Sequence, residues 1–155
     1  MAKNYGKKFE VKFKEDFSKL PGSTIDRIYD PGFGMKGVKN ICDFIGYIFP
    51  NIYYLECKSI KGKSFPLINF TQYEKLLAKK DIKGSIAGAV IWFVEKDKVI
   101  FVPIETFEAL KKDNKKSVSI DLIGNPKYNI IEIPSIKKRI FMDSDYTPLT
   151  QLGDK

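Results

Sequence analysis

Among the side chains of this chain, three have types and spacing suited to chemistry on a phosphodiester. They are Asp43, Glu56 and Lys58. Two apolar stretches flank the dipeptide Phe49-Pro50, and a hairpin centred between those two residues pairs positions whose numbers sum to 99. In that register Asp43 faces Glu56 and Cys42 faces Cys57. Directly opposed side chains have Cβ atoms ~4.5–5.5 Å apart, where like charges repel. Two carboxylates held together in an apolar strand therefore call for a cation, and Mg2+ takes oxygen ligands, commonly one or two carboxylates plus water. Lys58 lies two residues beyond Glu56 and projects from the same strand face. There its ammonium can orient an attacking water or stabilise charge developing on a phosphoryl oxygen. The plainer alternative is a surface aspartate beside an exposed Glu-Lys pair. The strand Ile52-Tyr53-Tyr54-Leu55-Glu56-Cys57-Lys58 argues against it, because burying charge in such a setting is unfavourable without a partner.

Composition narrows the chemistry further. The 155 residues contain no histidine, which removes Ser-His-Asp and Cys-His nucleophiles, histidine general bases and imidazole-ligated zinc. Two cysteines, Cys42 and Cys57, are too few for an all-thiolate zinc site and are expected to be reduced core thiols. Twenty-seven Lys and Arg against 19 Asp and Glu give a net charge of +8, which suits a polyanionic partner such as nucleic acid without demanding one. No apolar run approaches the ~20 residues of a membrane-spanning helix, and no secretory signal opens the chain, so the cytosol is the expected compartment.

The elements that must position these residues can be read from periodicity. Phe9, Phe13, Phe17 and Leu20 form an apolar stripe, which predicts a helix over Asn4 to Leu20 that Pro21-Gly22 stops. Strands are predicted over Thr24 to Tyr29, Asn40 to Ile48, Ile52 to Ser59, Ser85 to Val94 and Val99 to Pro103. Weaker strands are predicted near Ile120 to Ile123 and Ile130 to Ile133. A helix is predicted from Thr71 as N-cap, with Glu74 completing a capping box, through Lys79 and Lys80, and another over Glu105 to Lys112. This order gives an α/β sandwich with a mixed central sheet flanked by helices. Residues 1–142 form one domain, and 143–155 read as a polar, loosely held tail.

An acid on one strand followed by Glu-x-Lys on the next resembles the PD-(D/E)XK nuclease superfamily, with its restriction-endonuclease-like core. More of the chain is similar to one branch, the RecU-type Holliday junction resolvases. The resemblance rests on Gly6-Lys7-Lys8-Phe9-Glu10, Asp43-Phe44-Ile45-Gly46, Phe65-Pro66-Leu67, Gln72 and Ala89-Val90-Ile91-Trp92-Phe93. It implies a homodimeric, Mg2+-dependent endonuclease, with Mn2+ able to substitute, that makes paired nicks in branched DNA. It further implies that Asp43 and Glu56 bind the metal, that Lys58 assists the water, and that Glu10 and Gln72 complete the site. The connection from Asp30 to Asn40 is shorter here than the projecting segment of those resolvases. Lys36, Lys39, Lys61 and Lys63 flank the site on loops and are expected to contact phosphates. A degradative or restriction-type nuclease of the same fold, and a non-catalytic DNA-binding module, are the competing readings. Retention of all three central residues speaks against the second.

Overall fold

The computed structural model describes residues 4–29 and 40–153. Helix α1 (Tyr5–Phe17) is capped by Asn4, whose side chain accepts the Lys7 N–H at 3.1 Å. Its apolar stripe buries Phe9, Phe13 and Phe17, as the four-residue spacing requires. Strands β1 (Ser23–Arg27), β2 (Phe44–Ile48) and β3 (Asn51–Ile60) follow. A short β4 (Ser64–Pro66) and a 3-10 turn lead into α2 (Tyr73–Leu77). Next come β5 (Ser85–Phe93), β6 (Lys98–Pro103), α3 (Ile104–Lys112), β7 (Ser117–Ser119), β8 (Ile131–Ile133), β9 (Ser135–Lys137) and β10 (Met142–Ser144).

Six strands form one sheet in the order β1-β2-β3-β5-β6-β8. Only the β3–β5 pair is parallel, because the connection between them carries α2 across the sheet. Every residue of β5 is buried, as its unbroken apolar run demands of a strand covered on both faces. On one face Phe9, Phe13 and Phe17 of α1 pack against Phe44, Tyr53, Leu55 and Trp92. On the other, α2 and α3 cover Ala87, Ala89, Ile91 and Phe93 with Leu76, Phe107 and Leu110. The mixed α/β architecture expected from the sequence is the one observed.

Several local expectations are corrected. Thr71 does not cap α2: its hydroxyl donates to the Gln72 side-chain oxygen instead of accepting a backbone N–H, and Gln72 takes the cap position without a side-chain bond. The regular helix ends at Leu77, short of Lys79 and Lys80. Ile120–Leu122 is a 3-10 turn rather than a strand, because the Ser119 hydroxyl accepts the Asp121 N–H and curls the chain, while the pairing strand is β7 just before it. Residues 144–152 are held rather than loose. Tyr146 and Leu149 are buried against α1 and β3, the Tyr53 hydroxyl donates to the Leu149 carbonyl at 3.0 Å, and the Ser144 N–H donates to the buried Asp16 carboxylate at 3.0 Å.

Candidate active site

The β2–β3 hairpin has the register anticipated from its loop. Phe44 pairs with Leu55, Ile45 with Tyr54 and Ile48 with Asn51, so paired numbers sum to 99. The Phe49-Pro50 peptide is cis, and this places the proline at the third position of a tight turn that admits that isomer. Leu55 and Cys57 point into the α1 core, which leaves Glu56 and Lys58 on the opposite face, the one bearing Tyr54.

Asp43 lies one residue before β2. Its backbone carbonyl accepts the Ile28 N–H at 2.8 Å, extending the contact with the β1 side, and its carboxylate Oδ2 accepts the Cys57 N–H at 2.9 Å. The second bond draws the Asp43 carboxylate across to β3, beside Glu56. Glu56 is 1% exposed, and its Oε2 has no hydrogen-bond partner. Burial first, then the hydrogen bond to Asp43 and that residue's charge, pushes Glu56 up to about 9, against the lowering effect of Lys58. A glutamate in this position is under pressure either to hold a proton or to share a cation.

Glu10 reaches the same place from α1. Arg27, at the end of β1, joins it to the hairpin: its Nε donates to Glu10 Oε2 at 3.1 Å, and its Nη2 lies 3.6 Å from Asp43 Oδ1. Arg27 also donates to the backbone carbonyls of Asp43, at 3.2 Å, and Ile28. Burial first, then the Asp43 charge, raises Glu10 above its usual range even though Arg27 and Lys58 pull it down. Arg27 was not singled out from the sequence. The available signal was its type, since it is one of only two arginines among 27 basic residues, and a forked, always-charged guanidinium suits a bridging position that lysine does not.

The structure thus brings Glu10, Asp43, Glu56 and Lys58 together, with Arg27 among them. Gln72 stands at the start of α2, and among the described residues no hydrogen bond joins it to these carboxylates. Lys61 is exposed on the loop after β3, and Lys63 on the same loop lies 3.4 Å from Asp121. Lys36 and Lys39 lie outside the described residues. Cys42 and Cys57 are free thiols packed in different core clusters, so they do not face each other as the extended ladder predicts; pairing ends at Phe44 and Leu55.

A hard divalent cation fits this donor set. Asp43 and Glu56 offer oxygens only, and the bare buried Oε2 of Glu56 is a ligand atom without another partner. The neighbouring Cys42 thiol is pushed to about 12 by burial and by Glu56, so it stays protonated and is no competing soft ligand. Among the described residues no group of three or more Cys, Asp or Glu side chains is placed to hold a metal ion, so the candidate ligands are the Asp43 and Glu56 pair. An ion held by two carboxylates would fill its remaining coordination positions from water or phosphate.

A family model described as RecU, Recombination protein U, matches residues 34–142. The chain belongs to the RecU family. It is accordingly a Holliday junction resolvase of the restriction-endonuclease-like superfamily, a metal-dependent endonuclease that hydrolyses DNA phosphodiester bonds. The fold of this RecU-family chain is similar to the 1.6 Å structure of Hjc from Archaeoglobus fulgidus, a Holliday junction resolvase from an archaeal hyperthermophile. The TM-score is 0.58 at 18% identity, over 82% of this chain and 95% of that one. Comparison with curated proteins gives no match.

Proposed function

We propose that the chain, as a homodimer, uses Mg2+ to place paired nicks in four-way junctions or related branched DNA. Asp43 and Glu56 hold the ion, and Mn2+ substitutes for it. The observation that carries this reading is the buried, unpartnered Glu56 oxygen set beside Asp43 on a strand that also presents Lys58. When bound, the ion supplies Lewis-acid polarisation of the scissile phosphate and a more acidic water. The protein's own groups do the rest. Asp43 is fixed in place by the Cys57 N–H and by Arg27, so its oxygen needs little reorganisation when substrate arrives. Lys58 orients the attacking water and stabilises negative charge on the phosphoryl oxygens from the same strand face. Glu10, tethered by Arg27, adds a third carboxylate for the water or the leaving oxygen, and Gln72 completes the site from the α2 N-terminus. Lys61 and Lys63, with Lys36 and Lys39, contact flanking phosphates, a sequence-independent attraction that weakens with salt.

The test gives the purified protein Mg2+ and compares synthetic four-way junctions, flaps and linear duplex. Symmetric paired nicks confined to branched substrates are expected. Equal cutting of linear duplex removes the resolvase reading in favour of a degradative nuclease. Asp43→Asn and Lys58→Ala should each lose at least about 10²-fold in cleavage rate; parental rates from either show that the site lies elsewhere.

A further inference from the structure

Beside the catalytic carboxylates a second feature has a defined shape. A cavity of about 350 Å³ lies between α1 and the end of β1, at the small end of the range that holds compact ligands. Lys7, Val11 and Lys14 line it from α1, Tyr29 lines it from just beyond β1, and Glu10 and Arg27 form the wall shared with the active site. The helical stripe 7-10-11-14 sets its character, since these positions fall on one face of α1. Lys7 and Lys14 are exposed and make no ion pair with any described residue, so two positive charges stand at the mouth unanswered.

Tyr29 is 79% exposed, so its ring is accessible to a ligand. Its ring is backed on one side by the Arg27 guanidinium, 5.7 Å from the ring centroid, and Arg27 in turn lies 5.6 Å from the ring of buried Phe44. The Arg27 guanidinium thus backs the Tyr29 ring, most of which is accessible to solvent. An accessible aromatic ring, two ammonium groups that form no ion pair among the described residues, and a wall continuous with the phosphodiester-cleaving carboxylates match one occupant: a nucleotide of a DNA strand with its base out of the helical stack.

We infer that this cavity is a subsite for an unstacked base next to the scissile phosphate, with the base stacked on Tyr29 and its phosphates held by Lys7 and Lys14. The inference rests on the resolvase reading and adds to it a source of selectivity. A base at a strand exchange point leaves the stack at little cost, whereas one in continuous duplex must break full pairing and stacking first. Tyr29 then favours branched over linear DNA without reading sequence, because every base has a face to stack.

The experiment is a thermodynamic cycle on binding in EDTA, so that it does not depend on cleavage. Affinity for a synthetic four-way junction is measured for the wild type, Tyr29→Ala and Tyr29→Phe. Abasic analogues are placed in turn at each nucleotide flanking the exchange point. At one of these positions, removing the base should weaken wild type and Tyr29→Phe about tenfold and leave Tyr29→Ala unchanged, with the ring's removal causing the same loss on the intact junction. The ratio of junction to linear-duplex affinity should fall about tenfold in Tyr29→Ala only. If base and ring removal are additive at every position, if Tyr29→Phe loses as much as Tyr29→Ala, or if the wild type shows no preference for the junction, the subsite is refuted. Failure of the wild type to cut any DNA with Mg2+ would instead count against the resolvase reading and leave these binding results to stand. Unchanged thermal melting is expected for both variants, given the exposure of the ring.

Discussion

The carboxylate pair should make the metal-free protein unstable at the pH where the enzyme works, and Glu56→Gln should expose this. Glu56 is neutral in the folded chain up to about 9, while its unfolded value is near 4.5. Between those values the folded state binds a proton that the unfolded state does not, so stability falls as pH rises. The contribution is fully present below the unfolded value and lost progressively toward the folded one. Glu56 titrates together with Asp43, and the loss by neutral pH is on the order of a few kcal/mol for the pair. Glutamine has the same shape, is always neutral, and can donate to the Asp43 carboxylate as the protonated acid does. Urea unfolding in EDTA at a series of pH values should therefore show equal stability for the two proteins near pH 4.5. A gap in favour of Glu56→Gln should then widen steadily as pH rises through neutrality. Adding Mg2+ should close the gap by stabilising the wild type alone, since only it retains both ligands. Parallel stability curves in EDTA would refute the reasoning, because they would mean that Glu56 titrates alike in both states.

Three further outcomes are expected. Arg27→Lys should lower cleavage and Mg2+ affinity by about 10- to 100-fold with little change in fold, because one ammonium cannot reproduce the contacts to Glu10, Asp43 and the backbone at once; metal titration followed by a cleavage assay checks both. Gly88→Ala should destabilise by about 1–3 kcal/mol in thermal melting, since a Cβ there would clash with the Val102 carbonyl oxygen and the Phe101 ring. Leu149→Ala should cost about 2–5 kcal/mol in urea unfolding, the usual range for emptying a fully buried leucine site; a surface-like effect would show that the C-terminal segment is not part of the core.

How much of this was legible in the sequence depended on how local the cause was. The hairpin register followed from two strands and a two-residue loop, so Asp43 and Glu56 could be opposed on paper and are found together. The stripe Phe9, Phe13, Phe17 is likewise a property of one helix. Arg27 was missed because its meaning arises only when α1, β1 and the approach to β2 converge, and no spacing within one element carries that. The C-terminal segment was misjudged for a similar reason: its polar composition hides Tyr146 and Leu149, whose burial depends on grooves made by residues more than ninety positions earlier. Thr71 had the right type for a cap, yet its hydroxyl found a nearer acceptor in Gln72.

The bond from the Ser144 N–H to Asp16 has a reach beyond its own neighbourhood. Asp16 sits on the helix that delivers Glu10, and the chain end grips that helix through Asp16, through Asp143 on Lys12, and through Tyr146 on Phe13. The far end of the polypeptide thus acts as a latch on one arm of the catalytic cluster. Trimming it back to residue 141 takes Met142, Tyr146 and Leu149 out of the core together with those contacts, so a lower unfolding midpoint, a loosened α1 and slower cleavage are expected to appear together.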